Sequence, residues 1–110
     1  MVISFRFIYL MAMTKIEAMT RLKNCADAVK ARGATSLYLF GSSARVEAGA
    51  DSDLDLFIDY DPRKKFSLVD LVGIMFFLED MLGVEVDVTT RDSLHPMLKD
   101  DIEQSAVRVF

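Results

Sequence analysis

Cysteine, basic charge and long apolar runs are all scarce in this sequence. The single cysteine, Cys25, rules out an internal disulfide and is expected as a small core residue of a protein kept in the reducing cytoplasm. Lys and Arg number 13 against 17 Asp and Glu, a net charge of -4. That balance argues against broad nucleic-acid binding, and no direct binding to nucleic acid is expected. The most apolar stretch, residues 1–13 (MVISFRFIYLMAM), is broken by Arg6 and falls short of the roughly 20 residues that cross a bilayer. Its charge also follows rather than precedes the apolar run, unlike a secretory signal. A membrane enzyme is therefore not expected. Repeats and low-complexity linkers are absent as well.

What is present suits one compact domain. The 110 residues are 52% hydrophobic, and the expected organisation is an apolar extension over 1–13 followed by a single domain over 14–110. The extension reads as an extra strand, a disordered segment or an upstream start of translation. Thr14-x-x-Glu17 has the pattern of a capping box. Ile16, Met19, Leu22, Ala26 and Val29 then recur at helical spacing up to Gly33, a natural stop. Ser36–Phe40 reads as a buried strand, and a short helix is expected near 44–48. Asp53–Tyr60 alternates as a second strand, with Leu54, Leu56 and Ile58 on one face and Asp53, Asp55, Phe57 and Asp59 on the other.

Asp61-Pro62-Arg63-Lys64-Lys65 is a turn, and Ser67 is placed to cap a helix reaching Leu82, stopped by Gly83. Val84–Thr89 gives a third strand and Met97–Ala106 a last helix. The order predicts an α/β fold, a small mixed sheet with helices packed against it.

The chemistry is concentrated at three places. Asp53 and Asp55, two apart on a strand, have Cα atoms about 6.6–6.8 Å apart and side chains on one face. Two such carboxylates repel, and a divalent cation is the economical counter-charge. Oxygen-only ligands with open positions suit Mg²⁺ completed by substrate phosphates. If the second and third strands are neighbours, Asp87 joins the pair, and three carboxylates can hold two metal ions for in-line phosphoryl or nucleotidyl transfer. Gly41-Ser42 follows the first strand, where a glycine lets backbone amides approach a phosphate. Arg45 could add positive charge there. By contrast Asp51, Asp59 and Asp61 are expected at loops and strand ends, Lys64 and Lys65 in solvent, and His95 in a structural role.

Gly41-Ser42, ten intervening residues and Asp53-x-Asp55 together match the signature of the DNA polymerase beta-like nucleotidyltransferase superfamily. The fuller string GSSARVEAGADSDLDL resembles the minimal nucleotidyltransferase branch through Gly41, Ser42, Ala44, Arg45, Ala48, Ser52, Asp53, Asp55 and Leu56. The segment Leu82-Gly83-x-x-Val86-Asp87 resembles that family's third carboxylate strand. Val46 departs from it, standing where the branch commonly has Gly.

The resemblance implies a nucleotidyltransferase fold over about 14–110 and a catalytic, metal-binding triad of Asp53, Asp55 and Asp87. It further implies nucleotide contacts from Gly41, Ser42, Arg45 and Ser52, two Mg²⁺ ions, and ATP as donor. For such a short chain it implies a separate partner, a HEPN-domain RNase toxin modified with AMP on a tyrosine, with this chain as antitoxin. Two other readings stay open: a catalytic subunit acting on a small molecule, and a non-catalytic module that neutralises its partner by contact.

The helix after Ser67 is apolar nearly all round, more than one sheet face needs. Homo- or hetero-oligomerisation through its surplus face is therefore expected, unless the N-terminal apolar segment covers it.

Overall fold

The structure, a computed structural model, describes residues 15–41 and 54–110. The extension 1–13, the cap at Thr14 and the short helix expected near 44–48 lie outside the described residues.

Two helices, α1 (Lys15–Asn24) and α2 (Ala26–Ala31), lead into β1 (Ala34–Phe40). After β2 (Leu54–Tyr60) come α3 (Leu68–Leu82), β3 (Val86–Thr90), a short 3₁₀ turn (Arg91–Ser93), α4 (Lys99–Ser105) and β4 (Val107–Arg108). The strands form one mixed sheet in the order β3-β2-β1-β4. β1 runs antiparallel to both β2 and β4, while β2 and β3 run parallel. The fold class expected from the sequence is the one observed.

Its core lies between one face of the sheet and the layer of α1, α2 and α3. Leu37 and Leu39 of β1, Leu54, Leu56 and Ile58 of β2, and Val86 and Val88 of β3 meet Leu22, Val29, Ile74, Leu78 and Leu82 there. Period-two alternation on the strands and helical spacing on α3 explain why these residues converge.

α3 is fixed at both ends. The Ser67 hydroxyl accepts from the Asp70 amide at 3.4 Å, and the Asp70 carboxylate accepts from the Ser67 amide at 2.8 Å. This capping box stabilises the first turn by about 1 kcal/mol. Gly83 closes the helix in the left-handed region, its amide donating to the Glu79 carbonyl at 2.9 Å.

The structure corrects several details. The first helix is two helices, interrupted at Cys25. Its buried stripe runs through Ala18, Leu22, Cys25 and Val29, whereas Ile16 is 78% exposed. Ile16 stands two residues before Ala18, roughly 200° round the helix and so on the opposite face. β1 starts earlier than expected, at Ala34; β3 spans 86–90 rather than 84–89, and the last helix spans 99–105.

β4 was not expected at all. Its pairing is with β1: the Leu37 amide donates to the Phe110 carbonyl at 3.1 Å, and the Val109 amide to the Leu37 carbonyl at 2.8 Å. Val-Arg-Val is too short to announce a strand by alternation. Its partner, the open edge of β1, supplies what local sequence does not.

Candidate active site

The core-facing side of the sheet leaves its other side to polar groups, and three sequence-predicted residues meet along one end of that side. Phe40, the last residue of β1, pairs with Asp55 of β2. Asp55 pairs in turn with Asp87 of β3. Because β2 and β3 are parallel neighbours, paired residues share a face. Leu54 with Val86 and Leu56 with Val88 are buried, so Asp55 and Asp87 point away from the core together. Strands in a sheet lie about 4.8 Å apart, so the two carboxylates are adjacent. Asp55 is half-buried and Asp87 exposed.

Gly41 completes the row. Its φ of +71° is a backbone conformation that side chains disfavour, and a Cβ there would stand 2.5 Å from Oδ2 of Asp55. The turn leaving β1 is therefore pressed against the carboxylate, a cradle that a methyl group would fill. Two carboxylates side by side under a glycine form an all-oxygen, partly open donor set that fits a hard divalent cation. Ser42, Arg45, Ser52 and Asp53 lie outside the described residues.

Farther along the same face stands a structure that sequence reading missed. Phe57, on the polar side of β2, is fully buried. It stacks on Tyr38 with ring centroids 4.7 Å apart and planes 12° from parallel, and it meets Phe40 at 5.7 Å. The Arg91 guanidinium lies over both Tyr38 and Phe57, 4.8 and 5.0 Å from their centroids. Arg91 also forks onto Asp59, with Nε 2.7 Å from Oδ1 and Nη2 3.0 Å from Oδ2, and Nη1 reaches Glu103 of α4 at 2.6 Å.

Asp59 first, then Glu103, hold the guanidinium charged well above its usual range, against the opposing effect of burial. The cluster ties α4 to the sheet. Its signal in the sequence was an aromatic, Phe57, in a polar register, followed by an arginine at the end of β3.

Asp59 is thus an ion-pair partner at a strand end, as expected. Asp61 likewise accepts from the Arg63 amide at 2.9 Å and from its Nε at 3.1 Å. Lys64 and Lys65 are exposed. Nδ1 of His95 accepts from the Met97 amide at 3.2 Å, a local turn contact. At the far ends of β2 and β3, the Tyr60 hydroxyl donates to Asp92 at 2.7 Å and the Thr90 hydroxyl donates to it at 2.5 Å. Both hydrogen bonds hold the Asp92 carboxyl below its ordinary value, Thr90 contributing most. A cleft of 180 Å³ lined by Asp59, Tyr60, Pro62, Arg91, Asp92 and Lys99 opens at that end, away from Asp55 and Asp87. No helix among the described residues is long and apolar enough to cross a membrane.

A small mixed sheet with paired carboxylates beside a glycine turn defines a nucleotidyl-transferring fold, and the family comparison agrees. Residues 22–109 match the model of the nucleotidyltransferase domain, and the chain belongs to that family. Within it, the chain is 46% identical over 78 residues to a Methanocaldococcus jannaschii protein named "Putative protein adenylyltransferase", covering 71% of this chain and 82% of that one. It is 36% identical over 62 residues to the protein adenylyltransferase MntA of Thermococcus cleftensis, covering 56% of this chain and 61% of the other.

A solved structure described as a "putative minimal nucleotidyltransferase" superposes with a TM-score of 0.75 at 31% identity, over 87% of this chain and 96% of that one. The complex of a tri-AMPylated Shewanella oneidensis HEPN toxin with its MNT antitoxin shares the fold. The TM-score there is 0.60 at 15% identity, over 84% of this chain and 71% of that one.

Proposed function

We propose that this chain is a Mg²⁺-dependent protein adenylyltransferase that moves AMP from ATP to a hydroxyl, a tyrosine of a partner HEPN-domain RNase toxin, and so acts as its antitoxin. The observation that carries the chemistry is the pairing of Asp55 with Asp87 beneath Gly41. The acceptor and partner rest on similarity: relatives bear the name protein adenylyltransferase, and a like fold is found in a complex with an AMPylated HEPN toxin.

In this reading the acceptor oxygen bonds to the α-phosphorus of ATP as the bond to pyrophosphate breaks. Asp87 receives the acceptor proton. Asp53, Asp55 and Asp87 would hold the metal ions. Mg²⁺ bound there would neutralise the triphosphate and activate the acceptor hydroxyl. Gly41 and Ser42 take the β- and γ-phosphates, and Arg45 and Ser52 add further nucleotide contacts. The domain carrying this activity spans 14–110, and the setting is the cytoplasm.

The test is the purified chain with labelled ATP, Mg²⁺ and a HEPN-domain protein from the same genome, read by mass spectrometry. AMP on a partner tyrosine, lost with Asp53→Asn or Asp87→Asn, is the expected result. A tight complex that never carries an adduct overturns the transfer, and labelling of a small molecule alone overturns the protein acceptor.

A further inference from the structure

α3 is 15 residues long, about 22 Å, and its inner face is fully used: Ile74, Leu78 and Leu82 are buried against the sheet. Its outer face is nonetheless apolar. Leu68, Val69, Phe76 and Met81 are all more than half exposed. Val69, Gly73, Phe76 and Asp80 follow one another at steps of four, three and four, a single stripe along the outside of the helix. At its middle, a Cβ on Gly73 would meet nothing within 4 Å. No neighbour among the described residues therefore requires a glycine there, although glycine weakens an exposed helix interior. What the missing side chain does provide is a notch where another backbone can come close.

Charge selects the occupant. α3 carries Asp70, Glu79 and Asp80 and no basic residue. The loop before it carries exposed Arg63, Lys64 and Lys65, of which Arg63 is paired with Asp61. Two copies of α3 crossing antiparallel at Gly73 bring the C-terminal turn of one, with Asp80, to the N-terminal end of the other, where the preceding loop carries Lys64 and Lys65. Asp80 of each copy then approaches Lys64 and Lys65 of its partner, twice over, as a two-fold interface requires. A parallel crossing would stack like charges.

We propose that the outer face of α3 is a self-association surface on which a second copy of this chain packs its own α3, antiparallel and crossing at Gly73. The interface lies on the opposite side of the α layer from the sheet. It leaves Asp55 and Asp87 open, and it stands independently of the proposed acceptor.

Sedimentation equilibrium of the full chain tests this. The expected result is a dimer. Gly73→Leu, whose Cβ meets no described neighbour within 4 Å, and Phe76→Asp each raise the dissociation constant by roughly tenfold or more, as loss of a central interface contact does, with the circular dichroism spectrum unchanged. Asp80→Lys also weakens the dimer, and combining it with Lys64→Glu and Lys65→Glu restores it, because the two charge patches then exchange signs. A wild-type chain that stays monomeric, a dimer indifferent to Gly73→Leu and Phe76→Asp, or a charge exchange that fails to restore association overturns the proposal. A monomeric chain whose Gly73→Leu variant loses a co-expressed protein likewise overturns self-pairing and assigns the face to that protein.

Discussion

Gly41 and Asp55 are so close that the smallest possible side chain on the glycine would collide with the carboxylate, Cβ to Oδ2 at 2.5 Å. Space and backbone strain act together here, because φ at Gly41 is +71°. Gly41→Ala must either rotate the turn or push Asp55 aside. The left-handed conformation alone costs about 1–2 kcal/mol for a residue with a Cβ. We expect a loss of stability of that order in urea denaturation, and a larger effect on AMP transfer, about 10²-fold, because an ångström of displacement in a reacting array has that consequence.

Asp55→Asn and Asp87→Asn change charge with little change in shape, on the face of the sheet away from the core. Each is expected to keep the fold and to lower transfer by about 10²–10⁴-fold. A second readout separates binding from chemistry. Mg²⁺ with a non-hydrolysable ATP analogue should raise the melting temperature of the wild-type chain by mass action, and should do so much less for either variant. Full stabilisation of both variants by Mg²⁺ and analogue would remove these carboxylates from the metal site.

These carboxylates were legible in the sequence because period-two alternation and the Gly41-Ser42 spacing are local patterns. The ends of α3 were equally legible, since Ser67 and Gly83 act through their own neighbours in the chain. What escaped was non-local. β4 exists because the open edge of β1 accepts it, and nothing within Val107-Arg108 says so. Phe57 was assigned to the correct side of β2, yet its burial depends on Tyr38, Arg91 and the arrival of α4. Ile16 was misassigned because several spacings fit a short helix, and packing selected another. At the site, Gly41, Asp55 and Asp87 come together as the motif implied, while Ser42, Arg45, Ser52 and Asp53 lie outside the described residues.

Arg91 is expected to be the most sensitive charged residue of the fold. It neutralises Asp59 and Glu103 and covers the Tyr38–Phe57 stack. Arg91→Met leaves Asp59 and Glu103 without their ion-pair partner beside an aromatic surface. The three side chains are only about 30% exposed, so solvent screens the loss in part. A destabilisation of about 2–3 kcal/mol follows from unpaired charge and lost stacking. Arg91→Lys keeps the charge but not the planar fork, and should lose roughly half as much. Urea midpoints for the two variants check the ranking, and equal midpoints would mean that charge alone matters.

Asp92 gives the fold a predictable acid limb. Its carboxylate accepts from the Thr90 and Tyr60 hydroxyls, which lower its pKa in the folded state. A depressed acid stabilises the fold above its unfolded pKa, near 3.9, and that stabilisation is lost as pH falls through the folded value. Tyr60 shows the opposite linkage. Its hydrogen bond to Asp92, and the nearby negative charge, raise the phenol's pKa. Its contribution is therefore complete below pH 10 and is lost as pH rises through the folded value. The Tyr60–Asp92 strap should thus be intact across neutral pH and fail at both extremes. Asp92→Asn should melt below the wild type by a constant margin from about pH 5 to 9, with the two curves converging under about pH 4. Tyr60→Phe should track wild type more closely above pH 10 than at pH 7. A margin for Asp92→Asn that persists unchanged at pH 3 would show that its carboxylate is not what holds the ends of β2 and β3 together.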